Sequence, residues 1–192
     1  MARARTFSRR CASNCRCNST ISELGDSQKE LTSRRWASWT FTSNSEPRVE
    51  RFRSYMSREL LDRIIKAYDI RGLVDEEITP DFTFALGIAF AKFIEREREP
   101  ATVVVGEDMR PSSPDLATAF SDGVTSQGLD VIRIGLASTD QLYFASGHLG
   151  LPGAMFTASH NPAEYNGIKL CKSGARPIGQ ESGLLWIKEQ IH

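Results

Sequence analysis

Thr157-Ala158-Ser159-His160-Asn161-Pro162 places a hydroxyl, an imidazole and an amide on consecutive residues, and Gly167-Ile168-Lys169-Leu170 adds an ammonium group within ten residues. That set suits phosphate chemistry. Ser159 can accept a phosphoryl group, His160 and Lys169 can supply positive charge or protons, and Asn161 can hydrogen-bond the turn. The apolar run Gly153-Ala154-Met155-Phe156 leads in, while Pro162, Asn166 and Gly167 interrupt regular structure on the far side. Ser159 is therefore expected at the tip of a turn between two short strands. The same residue types also make an ordinary polar turn in which Ser159 and Asn161 bond the backbone, so this loop alone does not decide.

Two further segments do. One is Tyr68-Asp69-Ile70-Arg71-Gly72, and the other is Gly106-Glu107-Asp108-Met109-Arg110-Pro111-Ser112-Ser113. With TASHNP and the spaced GIKL, in this order, they resemble the α-D-phosphohexomutases, the phosphomannomutase/phosphoglucomutase family. The match covers residues 57 to 192 and corresponds to the first of that family's four domains. The resemblance implies an isomerase in which Ser159 is a phosphoserine that gives its phosphoryl group to a hexose phosphate. A hexose bisphosphate forms, turns over in the site and returns its other phosphate to Ser159. It also implies that one oxygen of that phosphoserine is a ligand of Mg²⁺. Lys169 would be a proton-transfer or charge-stabilising group, Arg71 would contact the phosphoserine region, His160 would sit beside the transferring group, and Tyr68 would line the sugar cleft. A phosphoserine carries about −1.5 to −2 charges, which requires cations nearby, and phosphoryl transfer asks mainly for positioning and charge stabilisation. Arg110 and Ser112 are read as structural, with Ser112 or Ser113 supporting the start of the next helix. His148 is read as a surface or helix-end histidine.

The family's Asp-x-Asp-x-Asp-Arg metal loop has no counterpart in this sequence, nor do its sugar-recognition and C-terminal phosphate loops. The remaining Mg²⁺ ligands are thus expected in a second domain, and the chain reads as a truncated N-terminal portion of a phosphohexomutase. The alternative is a non-catalytic phosphate- or partner-binding domain derived from that family. A Ser-His hydrolase is disfavoured, because there is no G-x-S-x-G elbow.

The elements that must hold these loops follow from periodicity. Leu60, Leu61, Ile64 and Ile65 recur at helical spacing after Ser57, predicting a helix to about Ala67. Residues 67–72 read as a non-helical turn. Thr79-Pro80 is an N-cap followed by proline at N1, opening a helix with Phe82, Ala85, Leu86, Ala89, Phe90 and Phe93 on one face. Its charged end, 95–99, reads as solvated. Residues 101–106, 130–135, 155–157 and 168–171 read as strands. Helices are expected from Pro114 to about Gln127, from Thr139 to about Gly147, and over 181–191. Strands alternating with helices predict an α/β fold with a mostly parallel mixed sheet flanked by helices.

The 192 residues carry 24 Lys/Arg and 24 Asp/Glu, which gives no reason to expect nucleic acid or an anionic membrane as partner. The balance is uneven, with eleven basic and five acidic residues before Met56, and thirteen and nineteen from it onward. Residues 1–55 lack a sustained period and read as a disordered basic extension, with 56–192 as the folded domain. The extension is either a targeting segment or the result of an early start codon, with Met56 as the alternative start. Cys11, Cys15 and Cys17 do not have zinc-site spacing, and Cys171 reads as a buried free thiol. A reducing cytoplasm is the expected setting.

Overall fold

A computed structural model describes residues 57–191, so the readings made for 1–55 and Met56 lie outside the described residues. Helix α1 spans Arg58–Ile64, capped by Ser57, whose side chain accepts from the Leu60 amide. It ends three residues earlier than expected, because Ile65 is extended and bridges to Ile70. Strand β1, Ile70–Leu73, takes over the second half of the stretch expected to be a turn. Helix α2 is Pro80–Glu97, with the Thr79 side chain accepting from the Phe82 amide and proline in the first turn. Then come β2 (Thr102–Glu107), α3 (Ser113–Thr125), β3 (Asp130–Leu136), α4 (Thr139–Leu149), β4 (Gly153–Phe156), β5 (Tyr165–Lys172) and β6 (Arg176–Pro177). The expected last helix is divided into a π-helical turn, Gln180–Leu184, and α5, Leu185–Ile191. Gly183 at φ 155° breaks the regular path there.

Among the described residues the strands form one mixed sheet in the order β1-β5-β4-β2-β3, with β6 on β5. The expected helix-flanked α/β fold is present. Its parallel part is β3-β2-β4, and β5 runs antiparallel to both β4 and β1. One face carries the larger core. Val103, Val105, Ala154, Phe156, Ile168 and Ile70 pack there against Phe82, Phe90 and Phe93 of α2, Phe120 of α3 and Ile187 of α5. Helices α2 and α3 meet at glycines: a Cβ on Gly87 would lie 2.2 Å from the Phe120 carbonyl oxygen, and one on Gly123 would lie 2.1 Å from that of Phe84. On the other face α4 places Leu142 against Val104 and Met155. The result is three layers, helix on sheet on helix.

The charged end of α2 is not simply solvated. Lys172 donates to Glu97 at 2.6 Å, and Glu99 accepts from the Ser173 amide at 3.2 Å and from Arg176 at 2.7 Å, tying α2 to the β5–β6 turn. Cys171 is a buried free thiol, as expected, and burial pushes its pKa up. His148 lies in the last turn of α4, stacked on Phe144.

Candidate active site

Strands β2 and β4 are parallel neighbours, with Gly106 opposite Met155 and Glu107 opposite Phe156. Their carboxyl ends therefore deliver the Asp108–Ser112 loop and the serine loop side by side, the usual place for a ligand in such sheets. The Asp108 amide donates to the Phe156 carbonyl at 2.9 Å, joining the two loops at their roots.

Ser159 is exposed, three residues beyond the buried Ala154–Phe156 run and next to the fully buried Ala158. Its backbone is left-handed, with φ 55°. For a non-glycine residue this costs on the order of 1 kcal/mol and persists only where the surroundings enforce it. The Thr157 hydroxyl accepts from the Ser159 amide at 3.0 Å, and the Ala158 carbonyl accepts from the Asn161 amide at 3.1 Å. The hydroxyl thus projects from a locally bonded turn. Ser159 Oγ lies 3.5 Å from His160 Nδ1. That is too long for a nucleophile–base pair, and both residues face solvent.

Alternation along β5 and β1 sends Ile168, Leu170 and Ile70 into the larger core. Lys169 and Arg71 point to the opposite face, opposite Met155 and Gly167 respectively. Arg71 and Lys169 both reach one carboxylate: Asp69 Oδ2 accepts from Arg71 Nη2 at 2.6 Å and from Lys169 Nζ at 3.1 Å. Arg71 Nη1 donates to Asn161 Oδ1 at 2.8 Å, which connects β1 to the serine loop across 90 residues of sequence. Arg71 Nε is buried without an acceptor among the described residues. Two cations thus stand beside the serine loop and share one aspartate, so the pair keeps a net positive charge. Tyr68 stands apart, 76% exposed, its ring close to Gly179.

Sequence reasoning underrated Arg110. Its Nη1 donates to the carbonyls of Pro162 at 2.7 Å and Tyr165 at 2.8 Å, and its Nη2 to those of Asn161 at 2.7 Å and Ser159 at 3.1 Å. One guanidinium therefore gathers four carbonyls of the serine loop. Asp108 orients it, with Oδ2 at 3.3 Å from Nε and Oδ1 accepting from the Arg110 amide at 3.0 Å. Asn166 was also missed as more than a chain breaker. It is fully buried inside β5 and donates to Ser112 Oγ at 2.8 Å and Ser113 Oγ at 3.0 Å, while its Oδ1 accepts from the Gly167 amide at 2.8 Å. Strand β5 consequently starts at Tyr165, three residues earlier than expected. Neither serine caps α3 with its side chain: Ser112 makes no cap hydrogen bond, and Ser113 Oγ donates to Asp108 Oδ1 at 2.7 Å. The two hydroxyls join the loops instead.

A shallow cavity of about 510 Å³ borders the far side of the serine loop at Ala163 and Glu164. Its charged lining is Asp75, Asp115 and Glu164, which repels phosphate, and Ser159, Arg71 and Lys169 do not line it. The exposed Ser159 turn lies instead beside the cations Arg71 and Lys169.

Among the described residues, no group of three or more His, Cys, Asp and Glu side chains is arranged to hold a metal ion. Two carboxylates beside the loop are engaged, Asp69 by Arg71 and Lys169, and Asp108 by Arg110 and Ser113. The described residues therefore do not fit an Mg²⁺ site by themselves, since that ion requires near-octahedral oxygen ligation.

The family model for phosphoglucomutase/phosphomannomutase, alpha/beta/alpha domain I, matches residues 62–192. The chain belongs to this family. Against a phosphomannomutase of Escherichia coli, this phosphohexomutase domain is 45% identical over 120 residues, which are 62% of this chain and 26% of that protein. A phosphomannomutase of Klebsiella pneumoniae is 44% identical over 120 residues, 62% of this chain and 74% of that sequence. A crystal structure of a phosphoglucomutase/phosphomannomutase family protein from Burkholderia thailandensis superimposes with a TM-score of 0.61 at 31% identity, over 67% of this chain and 29% of that one. The chain thus spans about a quarter of the length of the Escherichia coli relative. Domain I of the phosphohexomutase family accounts for the three-layer fold and for the pairing of the β2 and β4 loops at one end of the sheet.

Proposed function

We propose that this domain carries the phosphoryl group of a hexose-phosphate isomerase on Ser159. The observation that carries the reading is an exposed serine held at positive φ on a loop beside Arg71 and Lys169. In the forward step Ser159 Oγ attacks a phosphorus of a hexose bisphosphate. A P–O bond to Ser159 forms, the P–O bond to the sugar breaks, and the sugar oxygen takes up a proton as the serine hydroxyl gives one up. Lys169 serves as the proton-transfer or charge-stabilising group, its ammonium standing beside Arg71 on the shared carboxylate of Asp69. Arg71 holds the loop through Asn161. His160 lies beside the transferring group and Tyr68 lines the sugar side. Charged in this way, Ser159 gives its phosphoryl group to the free hydroxyl of a hexose monophosphate, and taking the other phosphate of the resulting bisphosphate back onto Ser159 completes the isomerisation.

For Mg²⁺, this chain's contribution is one oxygen of the phosphorylated Ser159, and no step above passes through the ion. We assign the folded domain to residues 56–192 and the setting to the cytoplasm, where the buried thiol of Cys171 stays reduced. No helix among the described residues is long and apolar enough to cross a membrane.

The test is intact-mass analysis after incubation of the chain with glucose 1,6-bisphosphate and Mg²⁺. A gain of one phosphate, lost in Ser159→Ala, is the expected result. An unmodified wild-type chain would leave a non-catalytic binding domain as the better description.

A further inference from the structure

We infer that Arg110 is the positioning residue of the serine loop: its guanidinium, and not merely its charge, holds Ser159 in the left-handed conformation from which the hydroxyl reacts. The inference rests on the phosphoryl-carrier reading for its catalytic consequence, and its structural half stands without it. Four carbonyls of one loop, from Ser159, Asn161, Pro162 and Tyr165, converge on Nη1 and Nη2 at 2.7–3.1 Å. Carbonyl oxygens clustered this closely repel one another unless donors lie between them. A planar fork with several fixed N–H directions meets that need, and a lysine, a single point of charge with three donors, does not. The side chain is only 11% exposed, and Asp108 Oδ2 balances its charge from the other side, 3.3 Å from Nε as an ion pair without a hydrogen bond. Asp108 is itself held by the Ser113 hydroxyl at the start of α3, so the clamp is anchored to a helix. The Ser159 carbonyl is one of the four acceptors, and its direction is set by the backbone torsions at Ser159 itself. Arg110 therefore acts on the backbone of the reacting residue, 49 positions away in sequence, without touching the hydroxyl.

The test uses the full chain with Arg110→Lys, which keeps the charge, and Arg110→Ala as the stronger lesion. Two readouts are taken: the rate of Ser159 phosphorylation by glucose 1,6-bisphosphate at varied concentration, and amide exchange across the loop. The expected result for Arg110→Lys is a maximal rate lower by about 100-fold, the scale of a displacement near 1 Å. The half-saturating concentration should change much less. The Ser159, Asn161 and Tyr165 amides should exchange faster, with α2 and α3 unaltered. A lysine variant that matches wild type in both rate and loop exchange would overturn the inference, because charge alone would then suffice. If the wild-type chain takes up no phosphate, the functional reading fails by itself and exchange decides the rest. Faster loop exchange in Arg110→Lys would keep Arg110 as the loop's anchor, and unchanged exchange would remove it.

Discussion

Gly167→Ala is the perturbation whose size the structure fixes best. Gly167 lies opposite Arg71 in the β1–β5 ladder, and its carbonyl accepts from the Thr157 amide at 2.9 Å, at the entry to the serine loop. A Cβ at this position would stand 2.5 Å from the Ile70 carbonyl oxygen and 3.0 Å from that of Thr157. Carbon–oxygen contacts normally begin near 3.3 Å, so the first must open by about 0.8 Å. Both obstacles are backbone atoms, with no flexible side chain to give way. Relief requires β1 to move away, carrying Arg71 with it, or the loop entry to lift. Overpacking of this kind costs roughly 1–3 kcal/mol, and the upper end applies because two backbone segments are involved. For a domain of this size about 3 kcal/mol corresponds to a fall in Tm of roughly 10 °C. A displacement approaching 1 Å at a reacting group should also slow Ser159 phosphorylation by about 10- to 100-fold. Thermal unfolding and the phosphorylation assay read the two effects on the same sample. Gly147→Ala is the control: it lies exposed in α4 with its nearest neighbour at 3.8 Å, and should gain roughly 0.5–1 kcal/mol from helix propensity. A Gly167→Ala chain with wild-type Tm and wild-type phosphorylation would refute the reasoning.

Three further outcomes are expected. Asn166→Ala removes the donor shared by Ser112 and Ser113 and the acceptor of the Gly167 amide, and should cost about 1–3 kcal/mol in urea unfolding. The Lys172 hydrogen bond holds the Glu97 carboxyl below its usual 4.5. A carboxylate with a lowered folded pKa favours the unfolded chain's proton uptake, so its stabilisation is complete above 4.5 and is lost as pH falls through the folded value. Lys172→Met should therefore be less stable than wild type at pH 7, with the difference shrinking below about pH 4.5 in denaturant titrations at each pH. Burial raises the Cys171 thiol pKa, so peptide-mapped maleimide labelling should spare Cys171 in the folded chain and reach it on unfolding.

The sequence made some of this legible and hid the rest for identifiable reasons. The cap and first turn of α2, Thr79-Pro80, and its apolar face were readable because both signals are local. The loop that bears Ser159 was readable because a distinctive hexapeptide follows an apolar strand. Strand β1 was taken for a turn, since four residues that alternate between buried and partly exposed are too short to show a period. The partners of Glu97 and Glu99 lie more than seventy residues away, so a charge run looked solvated when part of it pins the β5–β6 turn. Arg110 was read as structural, but its partners were not legible. It bonds backbone carbonyls, and a carbonyl belongs to every residue, so no residue type in the loop marks it as the clamp's target. Asn166 failed similarly: its amide was read as an interruption, whereas its side chain is satisfied by two serines at the start of α3, more than fifty residues earlier in the chain.

The most direct test of the account is whether phosphate passes both into and out of Ser159. The chain is labelled with radioactive glucose 1,6-bisphosphate, freed of excess reagent, mapped by peptide, and then chased with unlabelled glucose 6-phosphate. Label confined to the peptide containing Ser159, and leaving the protein as hexose bisphosphate during the chase, is the predicted result. Label that enters Ser159→Ala as fully as wild type, or that settles on another residue and stays there, would contradict the account.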